Sequence, residues 1–327
     1  MAYTWDELKG VYAMMPAFET PDADDIRNQN TVDVEYLHDA VDSVIQDGVQ
    51  LIATMSGSGE GWNLLRNEFE TLVRETLDAV KGRAPIFFGC LAANPRETVQ
   101  KIEFVRSAGG QGILLGLPYY HKLTVPNVIA YYKTMGEMFP DMSFSIYHNP
   151  IEFHVHIPVS AYREIVKMPN FVCTKDSHRA PLEFERLMEI TYGKVAHFVN
   201  YPQLYPYYEM GASGCWAFDL FMGPWPVLRA YEAAVDGDKE TLRHVIREMT
   251  GGRAGGAGDR TMAEGGSGHT PQQLAGYIKR GPARPPHFEA HVDDEGAAAK
   301  VAEWKKLCDK YKPEVVAWRR AHGETVS

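Results

Sequence analysis

The chain has 327 residues, 45% apolar and 11% aromatic, with 33 Lys and Arg against 43 Asp and Glu for a formal net charge of −10. That is enough apolar material for a large core, and the dispersed charge is unlike that of a disordered chain. An acidic surface with no Lys/Arg run longer than a pair repels a phosphate backbone, which excludes nucleic acid as a partner.

Short apolar runs alternate along the chain with longer stretches whose apolar residues recur at i, i+3, i+4 and i+7, the pattern of repeated βα units. Strands are expected at Gly10–Met14, Val49–Thr54, Ala84–Gly89, Gly112–Leu115, Ser143–Tyr147, Phe171–Thr174, Ala196–Val199 and Gly214–Ala217. Helices are expected between them at Val34–Gln46, Arg66–Val80, Arg96–Ser107, Val125–Met138, Val159–Lys167 and Pro181–Ile190. Asn94 before Pro95 supplies a cap, and Gly48 and Gly82 sit just past helix ends. Eight strands close a (β/α)8 TIM barrel. A doubly wound α/β sheet is the competing architecture, but no Gly-x-Gly-x-x-Gly follows the first strand.

After Gly223-Pro224 the strand signals stop, and helices are expected at Trp225–Val235, Lys239–Met249, Pro271–Arg280 and Ala297–Ala321. The expected organisation is a barrel over 1–236 that carries the active site, and a C-terminal helical extension over 237–327. Within the extension, 251–268 holds eight glycines in 18 residues and reads as a loop. Cys90, Cys173, Cys215 and Cys308 lie far apart with no C-x-x-C pair, so reduced thiols are expected rather than a zinc knuckle or disulfide scaffold. The N-terminal MAYTWDELKG has charges where a signal peptide carries its apolar stretch, and no apolar run approaches the ~18 residues of a membrane span, so a cytoplasmic location without a membrane partner is expected.

In a barrel of this kind, chemistry sits at the C-terminal ends of the strands. The polar residues there are Ser56-Gly57-Ser58-Gly59-Glu60, Pro118-Tyr119-Tyr120, Tyr147-His148-Asn149-Pro150 and Lys175 in Cys173-Thr174-Lys175-Asp176. Lys175 follows a buried strand, where desolvation lowers the pKa of an ammonium and leaves an amine able to attack a carbonyl carbon. A lysine leaving the strand end for solvent or for Asp176 is the alternative reading of the same position. Tyr147 precedes Lys175 by about one βα unit, so the two face one barrel mouth, where a phenol can shuttle protons. Ser56 to Gly59 offer backbone N–H groups suited to a carboxylate, or an ordinary glycine turn. His154-Val155-His156 has metal-pair spacing, but it lies past the fifth strand just before Pro158, which favours a surface loop.

Taken in order, S-G-S-G-E, P-Y-Y, Y-x-N-P, T-K-D and G-A-S-G-C-W resemble the motifs of the dihydrodipicolinate synthase / N-acetylneuraminate lyase family of Schiff-base aldolases, over about residues 8–236. The resemblance implies that Lys175 is the Schiff-base lysine and Tyr147 its proton relay, with no metal or organic cofactor and with a homotetramer as the assembly. Within the family, Y-x-N-P, the tryptophan after strand 8 and Gly281-Pro282-Ala283-Arg284-Pro285-Pro286 look like the hydratase-aldolases that cleave benzylidenepyruvates to pyruvate and an aromatic aldehyde. That resemblance implies that Trp216 lines the substrate pocket, with Asn149 beside it. It also implies that the backbone at Gly57 and Ser58 holds the pyruvyl carboxylate and that Tyr120 reaches a neighbouring subunit's site. The expected substrate is an aryl α,β-unsaturated 2-oxo acid. The alternatives are an aliphatic or sugar-derived 2-oxo acid, a barrel that has lost catalysis, and a metal-dependent barrel.

The chain departs from the family at informative places. Gly57 stands where the family usually has a threonine whose hydroxyl links the tyrosine to its relay, leaving Ser56 or Ser58 to replace it. The hydratase-aldolases bring an asparagine into the site from the C-terminal region, where this chain offers only Gln272 or Gln273. With a net negative bulk field, local donors must attract an anionic substrate, and Arg284 joins the strand-2 loop and the Lys175 iminium as a candidate.

Overall fold

The computed structural model describes residues 3–251, 269–286 and 294–324. The glycine-rich segment expected to be a loop lies outside the described residues from 252 to 268. Eight parallel strands form a closed barrel in sequence order: β1 (Gly10–Met14), β2 (Leu51–Thr54), β3 (Ile86–Gly89), β4 (Gly112–Leu115), β5 (Ser143–His148), β6 (Phe171–Asp176), β7 (Ala196–Asn200) and β8 (Gly214–Ala217). Nearly every strand residue is buried, as it must be when both faces of a parallel sheet are covered, and this is why the strands read as continuous apolar runs. The Gly10 N–H donates to the Ser213 carbonyl at 3.1 Å where the barrel closes.

Helices alternate with the strands: α1 (Val34–Gln46), α2 (Arg66–Val80), α3 (Pro95–Ser107), α4 (Val125–Met138), α5 (Val159–Ile165), α6 (Pro181–Thr191), the single turn α7 (Leu204–Tyr207) and α8 (Trp225–Val235). Then α9 (Lys239–Met249), α10 (His269–Ala275) and α11 (Asp294–Ala321) make the C-terminal helical extension to this (β/α)8 TIM barrel. Asn94 caps α3, its side chain accepting from the Arg96 N–H at 3.0 Å.

The contacts divide the chain into two compact units. The first takes in the segments up to Met15, Leu51–Trp62 and Pro85–Trp216, and so holds nearly the whole barrel. Its interior is layered with rings: Tyr12 meets Phe87 and Phe198 edge-on, with centroids 5.8 and 5.1 Å apart. His197 is a core histidine, its two ring nitrogens 2.8 and 2.7 Å from the hydroxyls of Thr174 and Thr191. Burial holds its pKa down, at about 3.

The second unit takes in Pro16–Gln50, Asn63–Ala84 and the described residues from Ala217 onward. At its centre lies a buried charge cluster. Arg280 donates to both carboxylate oxygens of Glu19, at 3.0 and 2.5 Å, and to the Gln272 carboxamide oxygen at 2.8 Å. Arg284 stands 3.6 Å from Glu19 and donates to the Thr31 hydroxyl and carbonyl and to the Ala17 carbonyl. Burial raises the Glu19 pKa, but Arg280, His269 and Arg284 outweigh it and bring it down to about 2.

Most elements begin and end within three residues of the predicted bounds, and the differences at β5, β6 and α10 bear on the buried polar groups. Strands β5 and β6 run on through His148 and through Lys175-Asp176, because the polar residues at their ends are themselves buried. The helix expected over Pro271–Arg280 spans His269–Ala275 instead. Gly276 takes a left-handed φ of +67° that terminates the helix and frees Arg280 to turn toward Glu19.

Candidate active site

Tyr147 on β5 and Lys175 on β6 are register partners across one parallel ladder. Neighbours in register share a face of the sheet, so the spacing read from the sequence resolves into direct adjacency. The Lys175 Nζ lies 3.9 Å from the centre of the Tyr147 ring and 4.1 Å from that of Trp216. The lysine is 3% exposed. Burial lowers its pKa from 10.5 to about 7, against the opposing pull of Glu152 and Asp176. A substantial fraction of the amine is therefore neutral and nucleophilic near neutral pH.

The next pair on the two strands, His148 and Asp176, is also in register and points to the opposite face. Their side chains meet at 2.9 Å, and Arg179, three residues beyond Asp176, donates to its other oxygen at 2.7 Å. Burial raises the Asp176 pKa, but His148 and Arg179 outweigh it and hold the carboxyl well below the usual carboxylate range. The Asp176 carbonyl accepts from the Trp216 Nε1 at 2.9 Å, which fixes the indole beside the lysine. This network anchors the end of β6.

Sequence reasoning passed over Glu152. The Tyr147 hydroxyl donates to Glu152 Oε2 at 3.0 Å, and the glutamate is half-buried by surface yet enclosed at its carboxyl end. Asn149 sets this up: its Oδ1 accepts from the Ile151 N–H at 3.2 Å and, more weakly, from the Glu152 N–H at 3.5 Å, turning the chain back on itself. The Asn149 Nδ2 reaches the Tyr147 hydroxyl at 3.5 Å, so the residue expected beside the substrate is also the one that shapes the turn. Phe153 then packs edge-on against Tyr147, with ring centroids 5.0 Å apart. Burial raises the Glu152 pKa, with Lys175 and Tyr147 opposing.

Gly57 completes the arrangement. A Cβ built on it would fall 2.2 Å from Glu152 Oε1, so the missing side chain leaves the space that the carboxylate fills. Ser56 and Ser58, the hydroxyls the sequence offers in place of the threonine, hydrogen-bond each other at 3.2 Å. The partner recorded for Tyr147 at close range is Glu152, a carboxylate from a different loop. A sequence signal for this existed in the glycine at 57 together with a glutamate five residues past the tyrosine.

The remaining candidates are dispersed. Tyr120 is 75% exposed and its ring meets His121. His156 pairs with Glu183 at 3.1 Å, and 154–156 is irregular chain rather than strand. Among the described residues no group of three or more His, Cys, Asp and Glu side chains is arranged to hold a metal ion. The Gln272 Nε2 donates to the Phe218 carbonyl and the Gln273 Nε2 to the Arg280 carbonyl, within the second unit. Arg284 is likewise engaged there with Glu19 and Thr31.

A closed parallel (β/α)8 barrel that sets a buried amine beside a phenol at adjacent strand ends has the layout of a Schiff-base enzyme, and the family its sequence matches makes it a carbon–carbon lyase. The model of the dihydrodipicolinate synthetase family matches residues 13–250, and the chain belongs to that family. Its curated relatives include the trans-O-hydroxybenzylidenepyruvate hydratase-aldolase of Pseudomonas aeruginosa, 26% identical over 95% of this chain and 96% of that protein. The trans-2'-carboxybenzalpyruvate hydratase-aldolase of Nocardioides sp. (strain KP7) is 23% identical over 95% and 97%. The 4-hydroxy-tetrahydrodipicolinate synthase of Methanospirillum hungatei JF-1 is 25% identical over 73% and 80%. Among solved structures, PhdJ bound to a substrate intermediate superposes with a TM-score of 0.87 at 24% identity, covering 95% of this chain and 99% of that one, a likeness of fold. No helix among the described residues is long and apolar enough to cross a membrane.

Proposed function

We propose that this chain is a pyruvate-dependent class I aldolase, specifically a hydratase-aldolase that converts an aryl α,β-unsaturated 2-oxo acid to an aromatic aldehyde and pyruvate. The observation that carries the reading is the buried Lys175 amine, with a pKa near 7, set between the rings of Tyr147 and Trp216. The full-length similarity to hydratase-aldolases supports the aromatic substrate.

In this reading Lys175 attacks the C2 carbonyl and, with loss of water, forms an iminium that draws electrons along the conjugated chain. Water adds at the benzylic carbon, and Tyr147 moves the protons. Retro-aldol cleavage releases the aldehyde and leaves a pyruvate enamine, which is protonated and hydrolysed to return the amine. The iminium is itself the electron sink, so the sequence of steps calls on no metal or organic cofactor. Ser58 and Gly57 supply backbone N–H groups at the carboxylate end of the substrate, and Trp216 supplies a ring face to its aryl end. Tyr120, exposed in the single chain, is the residue offered to a neighbouring subunit of a homotetramer.

Turnover of a benzylidenepyruvate set against that of a sugar-derived 2-oxo acid tests the substrate class. The reading requires the aryl compound to be cleaved with the higher kcat/KM, and a preference for the aliphatic compound contradicts it.

A further inference from the structure

Three features converge on one carboxyl group. The Tyr147 hydroxyl donates to Glu152 Oε2 at 3.0 Å, the Glu152 Oε1 occupies the volume a Gly57 side chain would need, and the Asn149 turn aims the glutamate inward. Any side chain at 57, a threonine included, would displace the carboxylate from this place. Glycine at 57 and glutamate at 152 therefore form a matched pair.

We propose that Glu152 is a positioning residue of the proton relay: it takes the place that Gly57 leaves open and exchanges, through Tyr147, the proton that imine formation at Lys175 consumes. The proposal rests on the Schiff-base reading above. The step balances within the three side chains and the substrate. Before attack, Lys175 and Glu152 share one proton, as amine and carboxylic acid or as ammonium and carboxylate. The amine nitrogen bonds to C2 and the carbonyl oxygen leaves as water. That oxygen takes two protons, one from the nitrogen and one from Glu152 by way of the Tyr147 hydroxyl. The iminium then carries a positive charge, and Glu152 is left as its carboxylate counter-ion. Hydrolysis of the imine runs the same transfers backward.

The charges around the group suit this exchange. Burial raises the Glu152 pKa while it lowers that of Lys175, which brings the two values toward each other and favours exchange of a proton between them. The titratable groups acting on Glu152 are Lys175 and Tyr147, and those acting on Lys175 are Glu152 and Asp176. Asp176, already committed to His148 and Arg179, stays ionised throughout.

The test follows the rate of pyruvate imine formation in the full-length protein, trapped with cyanoborohydride over a pH series that spans the Lys175 value of about 7. The wild type should show a bell: an acid limb where the pair gains a second proton and an alkaline limb where it loses its only one. Glu152→Gln should lower the rate by about 10²-fold. It should also abolish the alkaline limb and leave a single acid limb at or slightly above the wild-type one, because neutral Gln acts on Lys175 as the protonated glutamate does. Gly57→Thr combined with Glu152→Ala puts a hydroxyl where the carboxylate stood. That variant should recover rate relative to Glu152→Ala alone while still lacking the alkaline limb, and it carries the test if Glu152→Gln does not fold. A variant that loses rate but keeps the wild-type bell, or one that keeps the full rate, overturns the proposal. Absence of trapping in the wild type overturns the Schiff-base reading itself, and this proposal with it.

Discussion

Tyr147 and Lys175 lie side by side in the β5–β6 ladder, with the amine 3.9 Å from the centre of the phenol ring. The neighbouring pair in the same ladder, His148 and Asp176, faces the other way and is tied to Arg179. Strand alternation thus builds two layers from two consecutive register pairs. One face carries the amine and phenol, and the other carries a buried ionic network that fixes the strand end beneath them. The adjacency leads directly to the first expectation.

Tyr147→Phe keeps the ring that packs on Lys175 and removes only the hydroxyl. Imine formation should slow by about 10² to 10⁴-fold, the usual worth of a positioned proton donor, while pyruvate still traps at the lysine on long incubation. Stopped-time trapping with cyanoborohydride measures this, and an unchanged rate would remove the phenol from the mechanism.

Gly57→Ala introduces a Cβ at the position that lies 2.2 Å from Glu152 Oε1. The glutamate must move, so kcat should fall at least tenfold, while stability should change little because only the flexible end of the Glu152 side chain has to shift. Glu152→Ala in the same chain should leave kcat low. A Gly57→Ala protein with wild-type kcat would show that the close approach has no bearing on catalysis.

The second unit gives a prediction for stability. Glu19 is depressed from 4.5 to about 2 by its arginines, so its contribution is fully present above pH 4.5 and is lost as pH falls toward 2. At about 1.4 kcal/mol per pKa unit, this amounts to on the order of 3 kcal/mol. Arg280→Met strips the strongest partner from a buried carboxylate and should cost about 3–5 kcal/mol at neutral pH. Urea midpoints at neutral pH and in acid check both statements. In Arg280→Met the acid loss should shrink, because the carboxyl is no longer held so far below its ordinary value.

Trp216 should separate binding from chemistry. Trp216→Ala removes the ring beside Lys175 and the donor to the Asp176 carbonyl. An aryl substrate should then bind with KM raised about tenfold or more, consistent with the loss of one stacked aromatic contact and its buried area. Pyruvate alone, lacking a ring, should show a smaller change. Equal effects on both would place the indole away from the aryl end.

The barrel was legible because each of its strands is an apolar run bounded by helix signals, and burial on both faces leaves little else for such runs to do. Lys175 and Tyr147 were legible for the same reason: a lysine and a tyrosine ending buried strands one βα unit apart have few ways to avoid meeting. Glu152 was not. A glutamate after Asn-Pro reads as solvent-exposed loop, and nothing local reveals that the Asn149 turn folds it back onto Tyr147. The extent of β6 was missed because Lys175-Asp176 resembles a polar strand end until His148 and Arg179 are seen to meet the aspartate's charge. Arg284 and Gln272 invited a substrate-binding reading in the sequence, but their close partners lie in the cluster around Glu19, which joins residues more than 250 positions apart.

The most direct measurement is reductive trapping of the wild-type protein with pyruvate and borohydride, followed by peptide mapping. A stable adduct on Lys175, abolished in Lys175→Ala, is the predicted result. An adduct on another lysine, or none on a folded protein, would contradict the account at its centre.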